Sequence, residues 1–334
     1  MVAEGEQEEL WRLREENARL KDLLSRHGIS WETRGAADPI PAPEKTPPPA
    51  HFSTEEKIEL FSRLFRGRRD VYPQRWESAK GRSGYSPACA NEWKPGICHK
   101  PRVKCSDCSH RQLLPVTDQV IYDHLAGRQT IGVYPLLTND RCFFLAADLD
   151  GPDWQEDARA FMHTCRDLGL PAALEISRSG NGAHIWIFFA EPVPAREARQ
   201  LGAALISHTC HRNRQLSLAS YDRLFPNQDT MPKGGFGNLI ALPLQKKPRD
   251  LGRSVFVDEH LQPYPDQWAF LASVQPMSHQ DLENALLRAS DGRHPLDVAF
   301  TSEQEESAPW ERPSSTPSLM SGPLPDSLPL VLAN

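Results

Sequence analysis

The segment Phe143–Trp154, FFLAADLDGPDW, is the feature that most constrains the fold, because it places two acids at the end of an apolar run. Phe143–Ala147 is typical of a buried β-strand, and Asp148 and Asp150 follow two residues apart. Side chains two apart on a strand point to the same side, about 6 to 7 Å from each other. Two carboxylates so placed repel each other unless a positive charge lies between them. The segment therefore predicts a strand that ends in a cation site.

Composition limits the functional classes. The chain has 334 residues, enough for one large or two small domains, and its net charge of −6 gives no global sign of nucleic-acid binding. Between Arg63 and Arg111, however, twelve basic residues accompany four acids, which indicates either a polyanion footprint or a solvated face. No apolar run reaches membrane-spanning length, and no signal peptide is visible. Seven cysteines fit thiols or metal ligands rather than disulfides, so we expect a cytoplasmic protein.

The chain divides into four parts by composition. Residues 1–30 contain an amphipathic helix with heptad leucines and Asn17 in the seam, which predicts either weak self-association or docking on its own domain. Residues 31–51 form a Pro-rich linker, and residues 301–334 a disordered Pro/Ser-rich tail. The globular part is therefore 52–300.

The globular part has an α+β pattern. Apolar runs predict strands over 131–150, 172–190 and 239–244, and helical periodicity predicts helices over 154–168 and 195–213. A further helix is expected to begin at an N-cap at Ser53 or Thr54.

A small module at about 85–112 contains a cysteine cluster. Four cysteines lie within twenty residues: Cys89, Cys98, Cys105 and Cys108. The last pair has the C-x2-C spacing of a zinc knuckle, and the segment has too little apolar content to order itself by burial. We expect one structural zinc ion, with His99 as an alternative ligand to Cys98. The competing interpretation is a flexible loop with four free thiols.

A Gly-containing turn joins two apolar strands between Ser177 and Phe189. The turn is Ser179-Gly180-Asn181-Gly182, and His184 lies near the start of the second strand. Asn-Gly alone is a hairpin signal, so an ordinary hairpin is one interpretation. The other is a triphosphate site, in which Arg178, Ser179 and His184 flank exposed backbone amides.

Two weaker segments contain further candidates. Asp222 and Asp229 surround a Phe-Pro bend, and either is a candidate third carboxylate; the alternative is a loop with two solvated acids. The segment Gly234–Arg249 predicts a Gly-rich entry to a strand with a basic end. Its Lys246 is a candidate phosphate ligand, but the pattern favours an ordinary strand with a solvated basic end.

These motifs together resemble the archaeo-eukaryotic primase superfamily. Asp148-Leu149-Asp150 resembles its D-x-D/E metal motif, the stretch from Arg178 to His184 its nucleotide-binding turn, and Asp222 its third acidic motif. The stretch from about Phe61 to Val274, cysteines included, is similar to the primase domain of TOTE conflict systems.

The resemblance implies a primase-polymerase. It implies an RRM-like catalytic sheet with a second α/β half, and two Mg²⁺ or Mn²⁺ ions on Asp148, Asp150 and Asp222. It also implies NTPs or dNTPs as substrates, a single-stranded DNA or RNA template, and helicase and nuclease partners. The sequence departs from the family at Asn181, where related repair polymerases have a lysine. Asp222 fits the third motif better than Asp229, because it precedes the Phe-Pro step.

Two other functions compete with this one. A catalytically idle, zinc-containing adaptor would bind nucleic acid for a helicase or nuclease partner. A metal-dependent nuclease would also need clustered acids, but it would not need the triphosphate-type turn. The acid pair together with His184 and Asp222 favours the polymerase.

Overall fold

The computed structural model describes residues 52–212 and 220–289, and seven positions (12, 15, 16, 19–21 and 26) of a separate N-terminal unit spanning 1–51. Those seven positions are helical and exposed. The predicted linker 31–51 and tail 301–334 lie outside the described residues. No helix in the described ranges is both long and apolar enough to cross a membrane.

The main unit is an α+β fold. Its described helices are α1 (Thr54–Leu64), α2 (Asp118–Leu125), α3 (Trp154–Asp167), α4 (Ala195–Arg212), α5 (Lys246–Arg249), α6 (Gln267–Ser273) and α7 (His279–Ala289). Its described strands are β1 (Pro73–Glu77), β2 (Ser83–Pro87), β3 (Gly132–Val133), β4 (Arg141–Asp150), β5 (Ala172–Ile176), β6 (Gly182–Pro194), β7 (Tyr221–Phe225), β8 (Ile240–Ala241) and β9 (Val255–Val257).

A five-stranded antiparallel sheet, in the order β7-β4-β6-β5-β9, forms the centre of this unit. Along the chain the elements run β4-α3-β5-β6-α4-β7, so β6 is inserted between β4 and β5. This is the split β-α-β arrangement of ferredoxin-like and RRM-like sheets. The strand order therefore agrees with the RRM-like sheet expected from the sequence.

Both faces of the sheet are covered, which explains why β4 and β6 are apolar along most of their length. Helices α3 and α4 pack against one face. On the other face, the ring of Phe65, the C-cap residue of α1, lies 5.0 Å from Trp186 and 5.3 Å from Phe188 of β6. Since Trp186, Phe188 and His184 are two residues apart, His184 lies on the α1 side of the sheet.

The N-terminal half of the unit packs against that second face. Helix α1 begins with a capping box formed by Ser53 and Glu56, which decides the N-cap in favour of Ser53. In α2 the fully buried His124 contacts the carbonyl oxygen of Pro243 at 2.9 Å and accepts from the amide of Ile131 at 3.2 Å. Burial lowers the pKa of His124 to about 4. His124 is therefore a neutral core residue that joins α2 to the segment before α5.

The predicted strand over 239–244 is shorter than expected. Only Ile240 and Ala241 form strand β8, because Pro243 has no amide hydrogen and Leu244 has a φ of 61°. The basic end of that segment is not a strand either, since Lys246–Arg249 forms the short helix α5.

Candidate active site

Three carboxylates meet at the end of the central strands. Asp148 and Asp150 end β4, and Asp222 lies on the adjacent strand β7. One oxygen from each lies within 4.8 Å of the others, and within the described ranges no other group of three or more His, Cys, Asp or Glu ligand atoms is so close. Asp148 is half-buried, and the other two are exposed. The donor chemistry suits a hard divalent cation.

The strand register explains this arrangement. Asp148 lies opposite His184 of β6 on one side and Arg223 of β7 on the other, while Asp150 lies opposite Gly182. A Cβ atom at Gly182 would overlap the Asp150 carboxylate and lie 2.5 Å from the carbonyl oxygen of Leu149. Glycine is thus required there by close approach rather than by backbone conformation.

The structure separates the two candidates for the third acid. Asp229 forms an ion pair with Arg199 of α4 and is not part of the acidic group. Asp222 belongs to that group and also accepts a hydrogen bond from Arg223 at 2.8 Å. The geometry therefore favours Asp222.

His184 lies between two carboxylates. Its Nε2 is 3.5 Å from Asp148 Oδ1, and its Nδ1 is 3.0 Å from Glu175 Oε2. Glu175 is buried on β5 directly opposite His184, and it also accepts hydrogen bonds from Trp186 Nε1 at 2.8 Å and from Ser254 Oγ at 3.4 Å. Because both ring nitrogens face carboxylates, a doubly protonated ring satisfies both contacts.

The electrostatics follow from this chain of groups. Burial alone would favour the neutral ring of His184, but Glu175, and then Asp148, outweigh it and raise the pKa of His184 to about 9. Burial raises the pKa of Asp148 to about 6, and the negative charges of Asp150 and Asp222 act in the same direction. The site therefore contains a cationic histidine beside an acid, Asp148, whose ionised form a bound cation would stabilise.

The turn between β5 and β6 is closed by its own hydrogen bonds. The amide of Gly180 donates to the carbonyl oxygen of Ser177 at 3.0 Å, and the amide of Asn181 donates to Ser179 Oγ at 3.1 Å. The expectation of exposed backbone donors is therefore wrong for Gly180 and Asn181. The amides of Gly180 and Asn181 are not free to donate to a phosphate.

Arg253, which the sequence analysis did not single out, lies against the turn. A Cβ atom at Gly180 would lie 2.8 Å from Arg253 Nε, and Gly180 itself has a φ of 81°. Lys246, the basic residue that was singled out, lies instead beside Gly127 of the α2–β3 connection. Within the described residues, Lys246 makes no contact with the turn.

The β1–β2 hairpin borders the same turn. Burial raises the pKa of Tyr85 on β2, and the positive charges of Arg178 and Arg75 oppose that rise. Arg178 therefore lies close to Tyr85, at the edge of the turn that contains Ser179.

The four cysteines line one small cavity of about 20 Å³. Cys89 Sγ accepts hydrogen bonds from the amides of Asn91 and Gln112 at 3.4 and 3.3 Å, contacts that suit a thiolate. Burial raises the pKa of Cys105 despite the nearby Lys100 ammonium. In this part of the described chain, no three sulfur atoms lie within 4.8 Å of one another. The donors suit zinc, but their spacing is wider than that of the three acids.

Glu175 and Arg253 are the site residues that the sequence analysis missed. Glu175 had a local signal, an acid within the apolar strand AALEI, of the same kind that identified Asp148. Arg253 had none, because its approach to Gly180 depends on how the α5–β9 connection folds back.

Comparison with known proteins gives one family. Residues 56–285 match the family model described as the archaeo-eukaryotic primase domain of TOTE conflict systems. No curated protein matches the chain. Among solved structures, the polymerase domain of Mycobacterium tuberculosis ligase D in complex with DNA matches with a TM-score of 0.35 and 16% identity, over 72% of this chain and 90% of that chain.

Proposed function

Because the chain belongs to the archaeo-eukaryotic primase domain family of TOTE conflict systems, we propose that it is a template-directed nucleotidyltransferase, a primase-polymerase that adds NTPs or dNTPs. One observation carries this proposal: three carboxylates within 4.8 Å of one another lie beside a histidine held between Glu175 and Asp148. That pairing suits a substrate with a hydroxyl to activate and a triphosphate to hold.

Each part of the site has a role in this reaction. Asp148, Asp150 and Asp222 would hold two Mg²⁺ or Mn²⁺ ions, which make an attacking 3′-hydroxyl more acidic and neutralise the departing pyrophosphate. His184, protonated on both nitrogens, would donate from Nε2 to a phosphate oxygen, while the hydrogen bond between Nδ1 and Glu175 keeps the ring in place. Arg253, at the turn, would add a second positive charge for the triphosphate.

The turn and its flanking residues form the rest of the proposed nucleotide site. Arg178 and the turn side chains of Ser179 and Asn181 would contribute polar groups at its rim. Gly180 and Gly182 would let the turn lie close to Arg253 and to the Asp150 carboxylate, respectively.

A structural zinc ion belongs to the proposal as well. Cys89, Cys98, Cys105 and Cys108, which line one small cavity, would bind it as thiolates. The template is single-stranded DNA or RNA, and the partners implied by this family are a helicase and a nuclease.

Primer extension tests the proposed activity. A labelled primer on a template and a bare single-stranded template are incubated with Mg²⁺ or Mn²⁺ and with each nucleotide set. The wild-type chain should incorporate nucleotides, and Asp148→Asn, which removes a ligand charge without changing side-chain volume, should not. Strand binding without incorporation under every condition would favour the adaptor function, and cleavage of the labelled strand would favour the nuclease.

A further inference from the structure

A second basic site lies where α1, α2, α5 and α6 meet. It is a cavity of about 280 Å³ whose cations are Lys57 of α1 and Lys246 and Arg249 of α5. No carboxylate of the described residues lines it. Such an excess of positive charge at one point favours an anionic ligand.

Within residues 52–212 and 220–289, the cations of this cavity have no acidic partner. In the described part of the chain, neither Lys57 nor Lys246 nor Arg249 forms an ion pair with a carboxylate. The Lys57 ammonium lies 5.8 Å from the centre of the Trp268 ring. Their charges are therefore available to a ligand rather than used within the fold.

Two half-buried aromatic rings line the same cavity, Tyr122 of α2 and Trp268 of α6. Aromatic rings for base stacking beside cations for phosphates are the combination that single-stranded nucleic acid requires. A wider groove of about 770 Å³ shares Tyr122, Thr54 and Ile58 with the cavity. That groove contains three arginines and three acids, so the excess positive charge lies at α5.

The cavity is joined to the candidate nucleotide turn by a short basic connection. The amide of Gly252 donates to the carbonyl oxygen of Arg249 at 3.0 Å, and the amide of Arg253 donates to that of Pro248 at 2.9 Å. These bonds fold the chain after α5 so that Arg253 lies against Gly180. Arg253, Arg249 and Lys246 therefore lie on one short stretch of chain that runs from the candidate nucleotide turn to the cavity.

We infer that the cavity formed by Lys57, Lys246, Arg249, Tyr122 and Trp268 binds single-stranded nucleic acid next to the catalytic site. That the strand bound there is the one copied rests on the proposed function; the binding itself does not.

Fluorescence anisotropy with a labelled single-stranded oligodeoxynucleotide, measured over a range of salt concentrations on the full chain, tests this site. Lys246→Ala with Arg249→Ala should weaken binding and make the slope of log affinity against log salt shallower by about 1.4, since each lost single-strand phosphate contact removes roughly 0.7. The control, Arg159→Ala with Arg288→Ala, removes two exposed charges from α3 and α7. It should leave affinity and slope unchanged.

The aromatic contribution gives a second, independent readout. Trp268→Ala should raise the dissociation constant by about five- to 150-fold without changing the salt slope, because stacking releases no counterions. Trp268→Phe keeps a ring and should restore most of the affinity. It also distinguishes lost stacking from a damaged fold, which circular dichroism monitors.

The outcomes separate this site from the proposed activity. A double variant at Lys246 and Arg249 that keeps the wild-type affinity and slope overturns the inference. A double variant that instead loses affinity for the nucleotide also overturns it, because the cavity would then be part of the nucleotide site. Wild-type protein that binds the strand through this cavity yet incorporates nothing refutes only the proposed function.

Discussion

Glu175 determines how His184 faces the acidic group. It is buried, opposite His184 in the sheet, and bonded to the ring at 3.0 Å and to Trp186 at 2.8 Å. The Glu175 carboxylate and its hydrogen bond to the ring raise the pKa of His184 against the effect of burial. Glu175 is therefore a positioning residue, because its described contacts reach the three acids only through His184.

Glu175→Gln keeps the side-chain volume and removes the charge. The pKa of His184 should fall from about 9 toward its ordinary value of 6.5, measured by NMR of the ring. The KM for the nucleotide should rise by about ten- to 150-fold with a smaller change in kcat, the range for a hydrogen bond to a charged group. Glu191→Gln, an exposed acid on β6, is the matched control. An unchanged KM would contradict the role given to Glu175.

Asp148 makes metal binding depend on pH in a predictable direction. Its pKa is raised to about 6, so its stabilising contribution is present below the unfolded value of 3.8 and is lost as the pH rises through 6. A bound divalent cation favours the ionised form and reverses that loss. Mn²⁺ should therefore raise the melting temperature more at about pH 8 than at about pH 5. In Asp148→Asn the difference should disappear; if it persists, the cation binds elsewhere.

At the scale of elements, the pairing of β4 with β6 brings the acids and the turn together. Gly182 lies opposite Asp150, where a methyl group has no room. Gly182→Ala should lower the free energy of unfolding by about 1 to 3 kcal/mol through overpacking. It should also displace the Asp150 carboxylate and reduce metal-dependent incorporation. Chemical denaturation measures the free energy of unfolding, and primer extension measures incorporation. Wild-type values in both would show that β4 and β6 can move apart at Gly182 without loss of stability or activity.

Some of these elements were predictable from sequence and others were not. Apolar runs ending in Asp148 and around the Asn181-Gly182 turn identified β4 and the hairpin, because alternation and turn chemistry are local properties. The pairing of β5 with β9, and the return of the chain that brings Arg253 to Gly180, depend on tertiary packing. Lys246 was a candidate phosphate ligand, but it lies beside Gly127 of the α2–β3 connection and lines the cavity that also contains Lys57 and Arg249.

At the scale of the whole unit, one aromatic residue connects the cysteine module to the core. The Phe236 ring stacks on Tyr134 at 5.4 Å and lies 5.5 Å from the Arg68 guanidinium and 5.6 Å from that of Arg111. Arg111 also donates to the carbonyl oxygens of Ser106 and Gly234. The module and the Gly-rich segment before β8 are thereby held against each other.

Cys105→Ser with Cys108→Ser tests the predicted zinc. The double variant should lose one equivalent of zinc by elemental analysis and should weaken strand binding or initiation. The sheet around Asp148 should stay folded, because its core lies in its own strands and helices. Wild-type protein that is purified without zinc and has four freely reactive thiols would end this prediction.

The register of β4 with β6 also fixes the distance between the acidic group and His184. The chain leaves the ladder between these strands after Asp150, forms α3 and β5, and rejoins it at Gly182, an excursion of 31 residues. Residues added within that excursion would not alter the spacing between the cation site and His184. That spacing is set by the residue pairs of β4 and β6, and not by the length of the segment that connects the strands. A slip of the ladder by one residue would turn His184 to the opposite face, and a slip by two would move it about 7 Å along the strand. Relatives with longer or shorter excursions can therefore keep the same catalytic spacing.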